Sequence, residues 1–471
     1  MKVTLLKYIS FGLSALLVLM LVASTVVGAV CGRDVAHEYI YSSPLFVAVW
    51  AVMLASSLLY IFNTPMRRVA ASLFLHLAFV VVLIGAFVTY CTAERGTLIL
   101  CKEAPPASMF VTDEGSLAKF PFRLLLEDCR VEYYDDAVSP RDYHASLTVL
   151  PAVGDVCSAS LSMNNVYDRE GYRFCLSSVD EDCVTLLVSH DAWGVAISYA
   201  GYLLSVMGFV FLFISRKTLR HKLVQRLATM GYPRIKVPLR SWWKPVAASF
   251  FFFVVIGLLG ISRWVDSGVF PVSNGAEVMM FIAWCAFLAV FLLRKNRTLA
   301  FGALVLALVC AAVSFSSGVA VSGPVQPILR TPLLPLHVVT IIFSYVLIGL
   351  LAVNAFVALV AYWFTGNYKR LENTAISGRV MLYYATWLLV AGIFLGAAWA
   401  NISWGRYWGW DPKEVWALIT LFVCSAGFHT RSLPFMARPL VFHTFCLVAF
   451  LVMLFTFFGV NYLLGGLHSY A

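Results

Sequence analysis

The sequence predicts an all-α polytopic membrane protein of about eleven transmembrane helices, with one extracytoplasmic β-rich domain inserted between helices three and four. Three observations carry this. The chain of 471 residues is 61% hydrophobic and only 12% charged, against roughly 25% charged in soluble domains. Apolar runs of about 20 residues recur, each enough to cross a bilayer core of about 30 Å. One long stretch, 92–192, breaks that pattern: it holds seventeen acids, eight bases and alternating apolar residues.

The spans fall at about 9–30, 44–62, 71–91, 193–215, 245–261, 276–293, 298–317, 337–363, 380–398, 415–429 and 439–460. The first is too long for a typical secretory leader, and no small-x-small cleavage site precedes Cys31, so a retained helix is expected. Lys and Arg set the orientation. With the N-terminus in the cytoplasm, the inner loops hold twenty-one of them, nine lying between Arg216 and Lys244, and the short outer loops hold five. The C-terminus and the 92–192 domain then lie outside. The net charge of +10 is mostly this topology signal. Membrane lipid is an expected partner. Nucleic acid is not, because no soluble basic domain exists.

The basic inner stretch 216–244 divides the chain into halves at 1–215 and 245–471, with no internal repeat and no low-complexity tract. In the outer domain, Thr97–Cys101, Phe122–Tyr134, His144–Leu150, Arg173–Ser178 and Val184–Ser189 show β patterns between turn residues. A solvated β-sandwich is the plain expectation; a docking surface for a basic protein is the sharper one. Eleven Cys occur without a Cys-x-x-Cys, so neither a redox pair nor self-attached c-type haem is encoded. Seven of them (31, 91, 101, 129, 157, 175, 183) face outside, where disulfides are compatible with the sequence. The four in spans read as packing residues.

Topology sorts the nine His. His76 lies about six residues into the third span from its inner end, roughly 9 Å deep. His429 and His443 share that inner level, and His337 and His468 share the outer one. An ionisable side chain inside a bilayer is a functional candidate by default; its bland alternative is a neutral imidazole bonded to a neighbouring helix. His paired at two depths is what two bis-imidazole iron sites need, imidazole being a standard axial haem ligand. Periodicity does not choose between His429 and His443.

Residues 404–414 read Trp-Gly-Arg-Tyr-Trp-Gly-Trp-Asp-Pro-Lys-Glu. Trp404, Trp408 and Trp410 offer stacking faces for a porphyrin, and Arg406 and Lys413 suit its propionates. An interfacial aromatic belt is the plainer reading of such Trp residues, but belts are scattered over many loops. Asp411, Pro412 and Glu414 read as N-cap, N1 and N3 of the next helix, and capping outranks a direct chemical role for Asp411.

Trp-Gly-x-x-Trp-x-Trp-Asp-x-x-Glu resembles the "WWD" signature of the haem-handling proteins of cytochrome c biogenesis. Trp416-Ala-Leu-Ile-Thr, then Phe428-His429-Thr430-Arg431, and the tail from Asn461 through Gly466-Leu467-His468-Ser469-Tyr470-Ala471 resemble the CcsA (ResC) branch. Met163-Asn164-Asn165, Gly171-Tyr172-Arg173-Phe174, and His190-Asp191 through Gly194 to Tyr199-Ala200-Gly201 resemble, more loosely, CcsB (ResB). The chain as a whole is similar to a fused CcsB–CcsA System II cytochrome c synthase. The outer domain is short beside that of larger fused members.

The resemblance implies a bacterial cytoplasmic membrane, haem b as bound substrate, and four axial ligands to its iron: His76 and His429 receiving haem from inside, His337 and His468 flanking the Trp platform outside. It breaks the tie against His443. Haem would pass outward, where two thiols of an apocytochrome c Cys-x-x-Cys-His segment would add to its vinyls, a lyase-class ligation. Thiol–disulfide reductant proteins outside the membrane would be further partners. The protein need supply no nucleophile of its own; its task is positioning. The alternative is a haem transporter or chaperone that leaves ligation to another protein. A cytochrome b-like quinone oxidoreductase would want paired His on common helices, which are lacking, and a haem-free transporter gives no reason for the outer His–Trp–His grouping.

Overall fold

The computed structural model describes residues 2–136, 138–230, 243–316 and 325–464. The first half opens with α1 (Lys2–Cys31), the short α2 (Arg33–Ala36), a π-helical turn at His37–Tyr41, α3 (Pro44–Phe62) and α4 (Ala70–Thr92). The β domain follows: β1 (Glu94–Cys101), β2 (Ala107–Thr112), β3 (Leu117–Tyr133), β4 (Pro140–Pro151), β5 (Cys157–Ser162), β6 (Tyr167–Arg169), β7 (Tyr172–Asp180) and β8 (Cys183–His190). Then come α5 (Gly194–Ile214) and α6 (Leu219–Met230). The second half has α7 (Trp243–Ser267), α8 (Gly275–Leu292), α9 (Arg297–Ser316), α10 (Leu333–Thr365), α11 (Tyr368–Trp404), α12 (Pro412–Ala426) and α13 (Pro439–Leu454), which continues as a π-helix at Phe455–Leu464.

Helix boundaries follow local chemistry. Ser43 caps α3, with Pro44 at N1 and Phe46 N donating to Ser43 Oγ at 3.2 Å. Asn274 caps α8 in the same way. Gly366 (φ 62°) and Gly405 (φ 68°) end α10 and α11 in the left-handed region, where a Cβ would be strained.

Among the described residues, ten helices are long and apolar enough to cross a membrane, and the protein is multi-pass. The expected span at 415–429 is α12, only 15 residues long. At 1.5 Å per residue it is about 22 Å long. It packs against α1, α11 and α13 and reaches from the β-domain side of the bundle to the level of His76, but it is not among the ten helices long enough to cross, so the described residues give ten candidate spans against the eleven expected.

The β domain corrects the expectation of a sandwich. It is one antiparallel eight-stranded sheet in the order β5-β4-β3-β2-β1-β8-β7-β6. Sheet twist rolls it until β7 lies across β3, β4 and β5. The near-barrel closes over a single core that includes Leu98, Phe110, Leu124, Leu147, Phe174 and Leu186. Five strands were legible as alternating runs; β2, β5 and β6 are short and were not. Cys101 and Cys183 face each other across β1 and β8 and form a disulfide. Cys285, Cys310, Cys424 and Cys446 are buried among helices, as packing residues should be.

The two halves share their cores. Leu17, Leu21 and Phe46 from α1 and α3 pack with Val415 and Ile419 of α12. Ala71 and Leu212 from α4 and α5 pack with Ile376 and Tyr383 of α11. α4 and α5 meet through glycines: a Cβ on Gly201 would lie 2.8 Å from Val82 N, and one on Gly85 would lie 2.7 Å from Ser198 N.

Candidate functional site

A cavity of about 2450 Å³ lies between α1, α3, α4 and α5 of the first half and α11, α12 and the 406–410 loop of the second. Pockets for small ligands usually run to about 300–1,000 Å³, so it has room for a large ligand at more than one level. It reaches from the mouth of the β domain, called its outer end, to the opposite ends of α4 and α12, called its inner end.

At the inner end, His76 of α4 and His429, just past α12, stand with ring centroids 5.9 Å apart and planes at 87°. Each ring is fixed by its own helix turn. His76 Nδ1 donates to Ser72 O at 2.6 Å, and His429 Nδ1 donates to Ser425 O at 2.9 Å. A carbonyl only accepts, so both Nδ1 atoms carry the proton and both Nε2 atoms keep a lone pair. Phe11 of α1 packs edge-on against His429 at 5.3 Å. Lys217, Lys222 and Arg431 line the same end. Two imidazoles held in one tautomer on one cavity can bind opposite faces of a single metal centre. His443 is elsewhere: it is buried against α11, with Nε2 3.1 Å from Leu371 O and 3.1 Å from Thr374 Oγ1.

At the outer end, the 405–411 loop forms the wall. Arg406, Trp408 and Trp410 line the cavity. Trp408 and Trp410 are perpendicular, with centroids 5.8 Å apart. Trp410 stacks on Tyr41 at 4.6 Å. Trp404 points the other way, onto Trp399 at 4.9 Å, in a cluster with Leu329, Leu334 and Val338. His337 belongs to that side: its Nδ1 donates to Gly392 O at 2.7 Å, and it packs against Gly396 of α11. The structure therefore brings His76 to His429, and Arg406 to Trp408 and Trp410, while His337 and Trp404 lie behind the loop. His468 lies outside the described residues.

Asp411 caps α12. Its Oδ1 accepts from Lys413 N at 3.0 Å, and Glu414 Oε2 accepts from Asp411 N at 3.2 Å and Gly409 N at 2.8 Å. A relay secures the loop from behind: Tyr407 Oη donates to Thr89 Oγ1 at 3.1 Å, and Thr89 donates to Asp191 Oδ2 at 2.6 Å. The β domain holds the end of α11 that leads into the loop. Arg173 donates to Asn401 O at 3.2 Å, and Cys175 Sγ to Ile402 O at 3.7 Å.

Sequence reasoning missed Arg95, Tyr41 and Trp50, all on the cavity wall. Arg95 was hidden because it opens a strand and matches no motif. The position of Trp50 in the middle of a span was the one available signal for that residue.

Residues 272–468 match the cytochrome C assembly protein family, and residues 65–193 match the ResB-like family. The cytochrome c biogenesis protein CcsA of Chlamydomonas reinhardtii is 33% identical over 266 residues, which is 53% of this chain and 70% of that protein. The Guillardia theta CcsA is 32% identical over 249 residues, 46% of this chain and 82% of that protein. This chain belongs to the CcsA family. NrfI of Wolinella succinogenes is 34% identical over 225 residues, 46% of this chain but only 24% of that protein. With a ResB-like half ahead of the CcsA half, the chain is a fused CcsB–CcsA protein of System II, a membrane protein of cytochrome c biogenesis and haem handling.

Proposed function

We propose that this CcsB–CcsA protein receives haem at the inner end of the cavity, carries it to the outer loop and attaches it to the Cys-x-x-Cys-His segment of an apocytochrome c. The observation that carries this reading is the His76–His429 pair. Their centroid separation of 5.9 Å is close to the roughly 6 Å that two imidazoles need to flank one metal ion at about 2.0 Å per bond. His337 and His468 are the proposed outer ligands; Trp404 lies on the same side of the loop as His337, while Trp408, Trp410 and Arg406 face the cavity on the other side.

In the ligation step each apocytochrome thiol adds across one haem vinyl. The sulfur bonds to one vinyl carbon, the thiol hydrogen ends on the other, and nothing leaves. The chain's own part is to present the vinyl edges and exclude competing water, for which the indoles of Trp408 and Trp410 on the cavity wall are suited. Reductant proteins outside the membrane keep the partner's thiols free. The Lys and Arg bias supports a cytoplasmic N-terminus, the family resemblance supports a bacterial membrane, and the Cys101–Cys183 disulfide suits an external β domain.

The test is co-expression with an apocytochrome c in a bacterial host stripped of its own maturation genes. Covalent haem on the cytochrome is expected. A pigmented membrane protein with no covalent product favours the delivery-only reading. Colourless, well-folded protein from haem-replete cells overturns both.

A further inference from the structure

The outer end of the cavity holds two arginines that pair with none of the acids beside them, which include Glu38, Glu94, Asp113 and Glu114. Arg95 and Arg406 both line it. Among the described residues, neither guanidinium has an ion pair or a side-chain hydrogen bond, and the Nε of Arg95 is shut off from solvent with no partner. Arg406 folds back over Gly409 instead. The contrast with other partly buried arginines is sharp. Arg263 pairs with Glu277 at 3.0 Å, Arg173 with Asp168 at 2.7 Å, and Arg220 donates to Phe213 O at 2.7 Å. Burial, and then the neighbouring Arg406, hold Arg95 below its usual pKa. An unpaired guanidinium withdrawn from water is costly, and two guanidinium groups on one void can donate fork–fork hydrogen bonds to carboxylates.

Arg95 is also rigidly placed. It pairs with Ser189 of β8, and its carbonyl accepts from Asp113 N at 2.9 Å. The next residue, Gly96, sits where a Cβ would lie 2.7 Å from Thr112 Cα, so β1 is locked against β2 at this point.

We propose that Arg95 of the β domain and Arg406 of the loop clamp the carboxylates of the planar cargo at the outer end of the cavity, which makes the β domain part of the binding site rather than a cover. This rests on the haem reading above.

The full chain, purified in detergent, is titrated with iron protoporphyrin and with its dimethyl ester, and followed by visible absorption. Arg95→Gln is expected to weaken binding of the diacid about tenfold while the ester binds as it does to the wild type; Arg95→Lys recovers part of the loss. Equal weakening of both pigments by Arg95→Gln marks a structural role and overturns the clamp. So does no change with either pigment. So, too, does a loss confined to retention of phosphatidylglycerol, which would assign the arginines to a lipid headgroup. A wild type that binds neither pigment instead overturns the haem reading itself.

Discussion

Gly396→Ala tests His337 without touching it. Gly396 lies on α11 opposite His337 of α10, and a Cβ built on it would stand 2.6 Å from Cε1 and 2.8 Å from Nδ1 of that ring. Ordinary carbon contacts lie near 3.5–4.0 Å, so the ring must retreat by about 1 Å. The bond from His337 Nδ1 to Gly392 O is 2.7 Å long, and a retreat of that size stretches it beyond the limit of a hydrogen bond. Overpacking costs about 1–3 kcal/mol, and the lost bond adds about 1 kcal/mol. The larger effect falls on chemistry. Disturbing the group that orients a ligating His lowers metal affinity about 10–100-fold. The assay pairs thermal unfolding in detergent with a visible-absorption titration of haem, and Gly275→Ala is the control because its Cβ meets nothing within 4 Å. Expected are a lower melting midpoint and a weakened or altered haem spectrum for Gly396→Ala alone. If the midpoint falls as calculated while the spectrum and affinity stay as in the wild type, His337 is not an iron ligand.

Three further outcomes follow from the same coordinates. Asp411→Ala removes the cap of α12 and should cost about 1–2 kcal/mol, whereas Asp411→Asn should keep most of that stability and retain wild-type pigment, since Oδ1 is committed to Lys413 N; pigment loss in a stable Asn variant would give Asp411 a direct role. Glu277→Ala strands Arg263 and removes the acceptor for Ser273 N and Oγ, at 2.8 and 2.7 Å; about 3 kcal/mol of destabilisation is expected, read as a melting shift that Glu277→Gln should largely avoid. Burial pushes the Cys175 thiol up to about 12 from 9.0. A raised pKa means that the folded state keeps a proton the unfolded chain gives up, so this contribution is intact below pH 9 and fades as pH rises toward 12. At pH 8, iodoacetamide followed by mass spectrometry should therefore mark exposed Cys31, Cys91 and Cys157 before unfolding, and Cys175 only after it; early marking of Cys175 would contradict its packing beneath Ile402.

The parts of this fold that announce themselves in sequence are those governed by local pattern. Apolar runs gave the spans, and Asp411-Pro412-Lys413-Glu414 gave the start of α12, because capping acts within four residues. The depth of His76 in the third span was countable at one rise per residue. What stayed hidden depends on contacts far apart in the chain. The sheet rolls into a near-barrel because β7 crosses β3 to β5, and alternation within a strand carries no information about which strand faces it. The division of the Trp residues was equally invisible. The left-handed Gly405 and Trp410 turn the chain twice, so Trp404 packs on Trp399 while Trp408 and Trp410 meet the cavity. Arg95 could be recognised only once β1 and the loop were seen to share one void.

Trp410 explains why the two halves need each other. It sits at φ 55° without being glycine, a conformation that costs roughly 1–2 kcal/mol for an L-residue. What holds it there comes from the N-terminal half: Tyr41 stacks on it with planes 13° apart, and Phe46 meets it edge-on at 5.4 Å. Tyr41 is itself held, its oxygen accepting from Ser24 Oγ at 2.6 Å. Aromatic pairs contribute about 0.5–1.5 kcal/mol each beyond area burial, enough together to offset the strain. The loop of the CcsA half thus takes its shape from residues of α1 and α3 and the turn between them, and its position from Thr89 and Arg173. In this chain the two halves must therefore pack together before the loop takes this shape, and their covalent link makes that packing intramolecular.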